Sequence, residues 1–137
     1  MTKPIRVNHV AIVAEDINQA TTFWSDIVGL EKTRSEYNEK EAVDVAFFEV
    51  GNTELEILAP TTDDSGVAKY LNKRGPGFHH MCLDVEDLDA TIAHLKDKGI
   101  ELINEVPRVR EEGIRYAFVH PKSTGGLLVE LYELPKD

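Results

Sequence analysis

Apolar residues along this chain first cluster in short β-type runs and then recur at helical spacing, and that succession occurs twice. Val7–Val13 in VNHVAIV and Phe78–Val85 in FHHMCLDV predict strands. Each is followed by an aspartate placed as a helix N-cap, Asp16 or Asp87, whose carboxylate can satisfy free backbone N–H groups. After Asp16, with Gln19 three residues on as in a capping box, the apolar residues Ile17, Ala20, Phe23, Trp24, Ile27 and Val28 fall at helical spacing. Leu88, Ile92 and Leu95 do the same after Asp87, and Gly29 and Gly99 close the two helices. Two or three strands follow in each case: Val43–Val50 and Glu54–Leu58, then Tyr116–Val119 and Leu127–Tyr132.

The two successions align residue by residue. HVAIVAEDI beginning at His9 falls on HMCLDVEDL beginning at His80, 71 residues later, and Glu56 falls on Glu130, 74 residues later. So small a drift over half a chain implies an internal duplication. The unit is β-α-β-β-β, with module 1 over about 1–65 and module 2 over about 78–137. Between them, about 66–77, turn signals flank a short helix at Val67–Leu71. Neither module can readily cover both faces of its own sheet. The expected architecture is therefore α+β: two tandem modules sharing one curved mixed sheet in a single domain over residues 1–137.

Composition narrows the function. At 137 residues, with 42% hydrophobic and 29% charged residues, the chain has a globular balance and is long enough for a core of its own. Its 25 acidic residues outnumber 15 basic ones, a net charge of −10, which disfavours nucleic acid or an anionic membrane as partner. The single cysteine, Cys82, excludes an intrachain disulfide framework. The opening MTKPIRVNHV has no apolar signal core and no run approaches a membrane span, so the expected location is the cytoplasm.

The duplication also selects the candidate chemistry. His9, Glu56, His80 and Glu130 occupy equivalent positions, one histidine on each first strand and one glutamate on each last strand. Two imidazoles and two carboxylates form a ligand set for one divalent transition metal. Glu56 among Leu55, Ile57 and Leu58, and Glu130 among Leu128, Val129 and Leu131, need a partner or an ion if they face inward. Ordinary duplication of solvent-facing polar residues is the competing explanation. His79 rivals His80, but the repeat register favours His80 and turns His79 to the opposite face as a structural residue. His94 belongs on the solvated face of a helix, His120 before Pro121 suits a loop hydrogen bond, and Cys82 reads as a small buried residue. G-x-S-x-G, P-loop and G-x-G-x-x-G motifs do not occur.

A family resemblance then extends over almost the whole chain. NHVAIVAEDINQATTFWSDIVGL, GNTELEILAPTTDDSGVAKYLNKRGPGFHHMCLDVEDLDA and FVHPKSTGGLLVELYE resemble the vicinal oxygen chelate superfamily, and within it the methylmalonyl-CoA epimerase family. The resemblance implies metal ligation by His9, Glu56, His80 and Glu130. Glu56 departs from the glutamine that several epimerases carry there. It also implies an isomerase that moves the proton on the carbon between a thioester and a carboxylate, using Co2+, Mn2+, Zn2+ or Ni2+. Glu130 would be one base as well as a ligand. Asp44 in AVDVAF matches the other, with Glu49 and Glu54 able to deputise. The loop HPKSTGG would face substrate through Lys122, Ser123 and Thr124, its N–H groups holding a carboxylate. Lys73, Arg74, Lys122 and Arg115 are the cations available to the anionic coenzyme A, and a homodimer is the expected assembly. Rival activities of the superfamily are glyoxalase I, a drug-binding resistance protein and a ring-cleaving dioxygenase. The complete four-ligand set speaks against the last two.

Overall fold

The computed structural model describes residues 3–110 and 112–136. They form two compact units: one is His9–His79, and the other joins the N-terminal stretch through Asn8 to the residues from His80 onward. The division falls inside the first strand, β1 (Pro4–Val13), rather than at the loop between the repeats.

In the first unit β1 is followed by α1 (Ile17–Thr21), a π-helical turn (Thr22–Ile27), β2 (Glu31–Asn38), β3 (Val43–Val50), β4 (Thr53–Pro60) and α2 (Gly66–Arg74). The sheet order is β2-β3-β4-β1, antiparallel except for the parallel pair β1–β4, so the sheet is mixed. Asp16 caps α1 by accepting from the N–H groups of Asn18 and Gln19. The expected single α-helix runs only to Thr21, and from there the Val28 N–H reaches back to the Phe23 carbonyl. The consecutive β-branched and aromatic residues Thr21, Thr22, Phe23 and Trp24 favour such a break, since they lose rotamer freedom against a tight α-turn. Ile17, Ala20 and Trp24 pack against Ala46, Phe48 and Ile57 as expected, whereas Phe23, Ile27 and Val28 are exposed. On the sheet's other face Val43, Val45 and Phe47 meet Leu58 and Val67.

The second unit contains β5 (Gly77–Val85), α3 (Leu88–Asp97), β6 (Arg108–Val109), β7 (Arg115–Val119), a short 3-10 turn (Pro121–Ser123) and β8 (Leu128–Glu133). Its order is β5-β8-β7-β6, with β5 and β8 parallel and the other neighbours antiparallel. Asp87 caps α3 through the Ala90 N–H. The face of α3 bearing Leu88 and Ile92 packs on Val85, Ala117, Val119 and Leu131. Both units thus have the predicted β-α-β-β-β order and the α+β class. Each buries one sheet face under its helix and keeps its candidate ligands on the other.

Candidate functional site

Strand register sorts the candidates by face. In the first unit β1 runs parallel to β4 with His9 beside Glu54 and Ala11 beside Glu56, and β4 pairs Glu56 with Phe47. Registered partners project to the same side of a sheet, so His9, Glu54 and Glu56 share the face turned away from α1. His9 is buried and its Nδ1 lies 3.4 Å from Glu56 Oε2. In the second unit His80 pairs with Leu128 and Cys82 with Glu130, which puts His80, Cys82, Asp84 and Glu130 on one face. His80 Nε2 is 3.7 Å from Glu130 Oε1, and Glu130 is only 2% exposed. Each unit therefore brings its histidine to its glutamate.

Both separations exceed the usual 2.7–3.2 Å of an N–H···O hydrogen bond. Two donor atoms each about 2.1 Å from one ion stand roughly 3–3.5 Å apart across its coordination angle, and the two pairs come close to that spacing. The donor chemistry, imidazole nitrogen with carboxylate oxygen, fits a divalent transition ion.

Asp44 is not with them. Its registered neighbours are Ala59 on β4 and Tyr37 on β2, so it lies on the face opposite Glu56. The alternation of β3 that buries Phe47 on the ligand face necessarily sends Asp44 the other way. Glu49 pairs with Glu54 and does share the ligand face. Glu54 is held by Arg34, whose Nη1 is 3.0 Å from its Oε2 and whose guanidinium stacks 3.7 Å over Phe47.

The loop after β7 also differs from expectation. Lys122 N–H donates to His120 Nδ1, Ser123 N–H to the His120 carbonyl, Thr124 and Gly126 N–H to the Pro121 carbonyl, and Leu127 N–H to Thr124 Oγ1. Ser123 Oγ accepts from Glu101 N–H, while Thr124 Oγ1 donates to the carbonyls of Pro121 and Leu127. These amides hold the loop to itself and are not available as a carboxylate cradle. Lys122 remains exposed. Of the other cations, Arg115 is committed to Asp89 and Glu133, which raise its pKa further above an already basic value. Lys73 and Arg74 end α2.

His79, His120 and Cys82 behave as read, whereas His94, expected on a solvated face, is half-buried on α3. His79 faces α2 and stacks edge-on with Tyr70 at 4.7 Å, and burial lowers its pKa. His120 serves its loop, and Cys82 is buried. Two polar arrangements had no sequence signal. Asp84, 2% exposed, is met by Arg6 Nε at 2.8 Å and Asn8 Nδ2 at 3.0 Å. Arg110 Nη2 lies 3.1 Å from Glu130 Oε2. Both depend on residues distant in sequence that no motif links.

The doubled β-α-β-β-β fold with its His/Glu pairs is that of one superfamily. The sequence profile of the Glyoxalase/Bleomycin resistance protein/Dioxygenase superfamily matches residues 8–118, and the chain belongs to it. Human mitochondrial methylmalonyl-CoA epimerase is 37% identical over 127 residues, 92% of this chain and 72% of that protein. The ethylmalonyl-CoA/methylmalonyl-CoA epimerase of Cereibacter sphaeroides is 34% identical over 131 residues, covering 94% of this chain and 98% of that one. A serine-to-threonine variant of Streptomyces coelicolor methylmalonyl-CoA epimerase, solved with 2-nitronate-propionyl-CoA, superposes with a TM-score of 0.81. It is 33% identical over 96% of both chains. Within the superfamily, the family is that of the methylmalonyl-CoA epimerases.

Proposed function

We propose that this chain is a metal-dependent methylmalonyl-CoA epimerase, interconverting the 2R and 2S thioesters. One observation carries the reading: each repeat pairs its first-strand histidine with its last-strand glutamate, in a chain this similar to epimerases. His9, Glu56, His80 and Glu130 would together hold one divalent ion, Co2+, Mn2+, Zn2+ or Ni2+. Such an ion supplies Lewis acidity toward the negative charge that appears on the thioester oxygen.

The chain's own residues do the rest. The substrate's α-proton is acidified by the flanking thioester, and its removal leaves a planar enolate. Inversion then requires one base to take the proton from one face and another acid to return a proton to the other. Glu130 is one of these groups. The other is sought in Glu49 and Glu54, because Asp44 lies across the sheet from Glu56. Lys73, Arg74 and Lys122 are the cations left for coenzyme A phosphates.

Among the described residues no helix is long and apolar enough to cross a membrane. We place the protein in the cytoplasm as a homodimer; the exposed Phe23, Ile27 and Val28 offer apolar surface that a second copy could cover.

The test incubates protein and Mn2+ with one methylmalonyl-CoA epimer in deuterated water. Deuterium at the α-carbon together with the opposite epimer is expected. Turnover of the methylglyoxal–glutathione adduct without such exchange would reassign the chain to glyoxalase I.

A further inference from the structure

The two oxygens of Glu130 have different partners. Oε1 is turned toward His80 Nε2 at 3.7 Å, while Oε2 is taken by Arg110 Nη2 at 3.1 Å. Arg110 is not a loose surface side chain that swung in. Its guanidinium sits 4.4 Å over the Tyr116 ring and 5.6 Å from the Tyr132 ring, both on the Glu130 face by register. Its main chain is fixed as well, the Arg110 N–H donating to Ile114 O and the Gly113 N–H to Arg110 O. Gly113 adopts φ +84 with Pro135 3.4 Å from where a Cβ would stand, so the turn admits little else.

The other repeat provides a control. There Arg34 likewise stacks on an aromatic ring of the ligand face, and it pairs with Glu54 and Glu36. In the second unit the stacked arginine reaches the candidate ligand itself.

We propose that Arg110 is a positioning residue that confines Glu130 to one-oxygen ligation and so preserves its second oxygen as the base. The proposal rests on the metal-dependent reading above. A carboxylate oxygen has two lone-pair directions. Arg110 holds Oε2 from one side, so that Oε1, turned toward His80, is the oxygen presented to an ion and Oε2 the one retained as the base. Without the guanidinium, both oxygens would be drawn onto the ion, and a fixed positive charge that opposes loading would be gone.

The experiment titrates Mn2+ alone into metal-free wild type, Arg110→Met and Arg110→Lys, following the free-Mn2+ electron-spin signal, and then measures kcat and KM of each loaded protein. Arg110→Met is expected to bind Mn2+ about tenfold more tightly. Its kcat should fall about a hundredfold with KM little changed. Arg110→Lys, which keeps the charge, should return the affinity to near the wild-type value. Thermal melts identify any variant that has lost its fold, and Arg110→Gln, which also removes the charge, then carries the comparison with the same expectations. Wild-type Mn2+ binding with equal or weaker binding by Arg110→Met, or an unchanged kcat, overturns the proposal. If the wild type takes up no Mn2+, the metal-dependent reading fails and this proposal falls with it.

Discussion

Asp44 and Glu56 lie on adjacent strands, yet antiparallel register sends them to opposite sides of the sheet. Asp44→Asn should therefore keep kcat within about twofold of wild type in the deuterium-exchange assay, whereas Glu56→Ala should lose at least about a hundredfold, as expected on loss of a metal ligand or its support. Near-wild-type activity in Glu56→Ala would remove Glu56 from the ligand set. Ala42 offers a second residue-level test. It holds φ 54, a left-handed conformation that costs a residue with a Cβ about 1 kcal/mol, between Glu39 O and the start of β3. Ala42→Gly should relieve that strain and gain roughly 0.5 kcal/mol after the greater entropy of the unfolded glycine is counted; urea unfolding would read it. The pairings of His9 with Glu56 and of His80 with Glu130 were legible in the sequence because duplication marks them twice. Arg110 was not, since its reach to Glu130 depends on a hairpin whose geometry no residue pattern announces.

At the scale of elements, strands that bury a face were legible and those that do not were missed. Val43–Val50 was read to the residue because alternate positions pack into two separate cores. β2, exposed along its whole length, has no apolar alternation to betray it, and neither has the two-residue β6. The π-helical turn escaped because Phe23, Ile27 and Val28 fit a helical period without being buried. The junction of β5 with α2 carries a pH dependence. Burial holds the His79 pKa below its ordinary value of 6.5, so just below that value the unfolded chain binds a proton that the folded chain refuses. Stability then rises with pH through this window and falls on acidification. In metal-free protein, His79→Phe should flatten the decline in urea midpoint between about pH 6.5 and 5. A slope equal to wild type would mean that another group is responsible.

For the molecule as a whole, ligation and stability should be linked. An ion that binds only the folded chain adds about 2.7 kcal/mol at a hundred times its dissociation constant, or roughly 10 °C of Tm for a chain this size. Stripping with a chelator should reverse the gain along with activity, and readdition of Mn2+ should restore both. A Tm indifferent to Mn2+ would argue against a preformed site. The division of β1 has a separate consequence for biosynthesis. Residues 9–13 of β1 and strands β2, β3 and β4 can pair with one another as soon as they leave the ribosome. Arg6 and Asn8, by contrast, must wait for Asp84, and β5 must wait for β8. Such distant pairings form late, so the nascent chain carries its opening residues as an unfinished edge until most of its length has been translated.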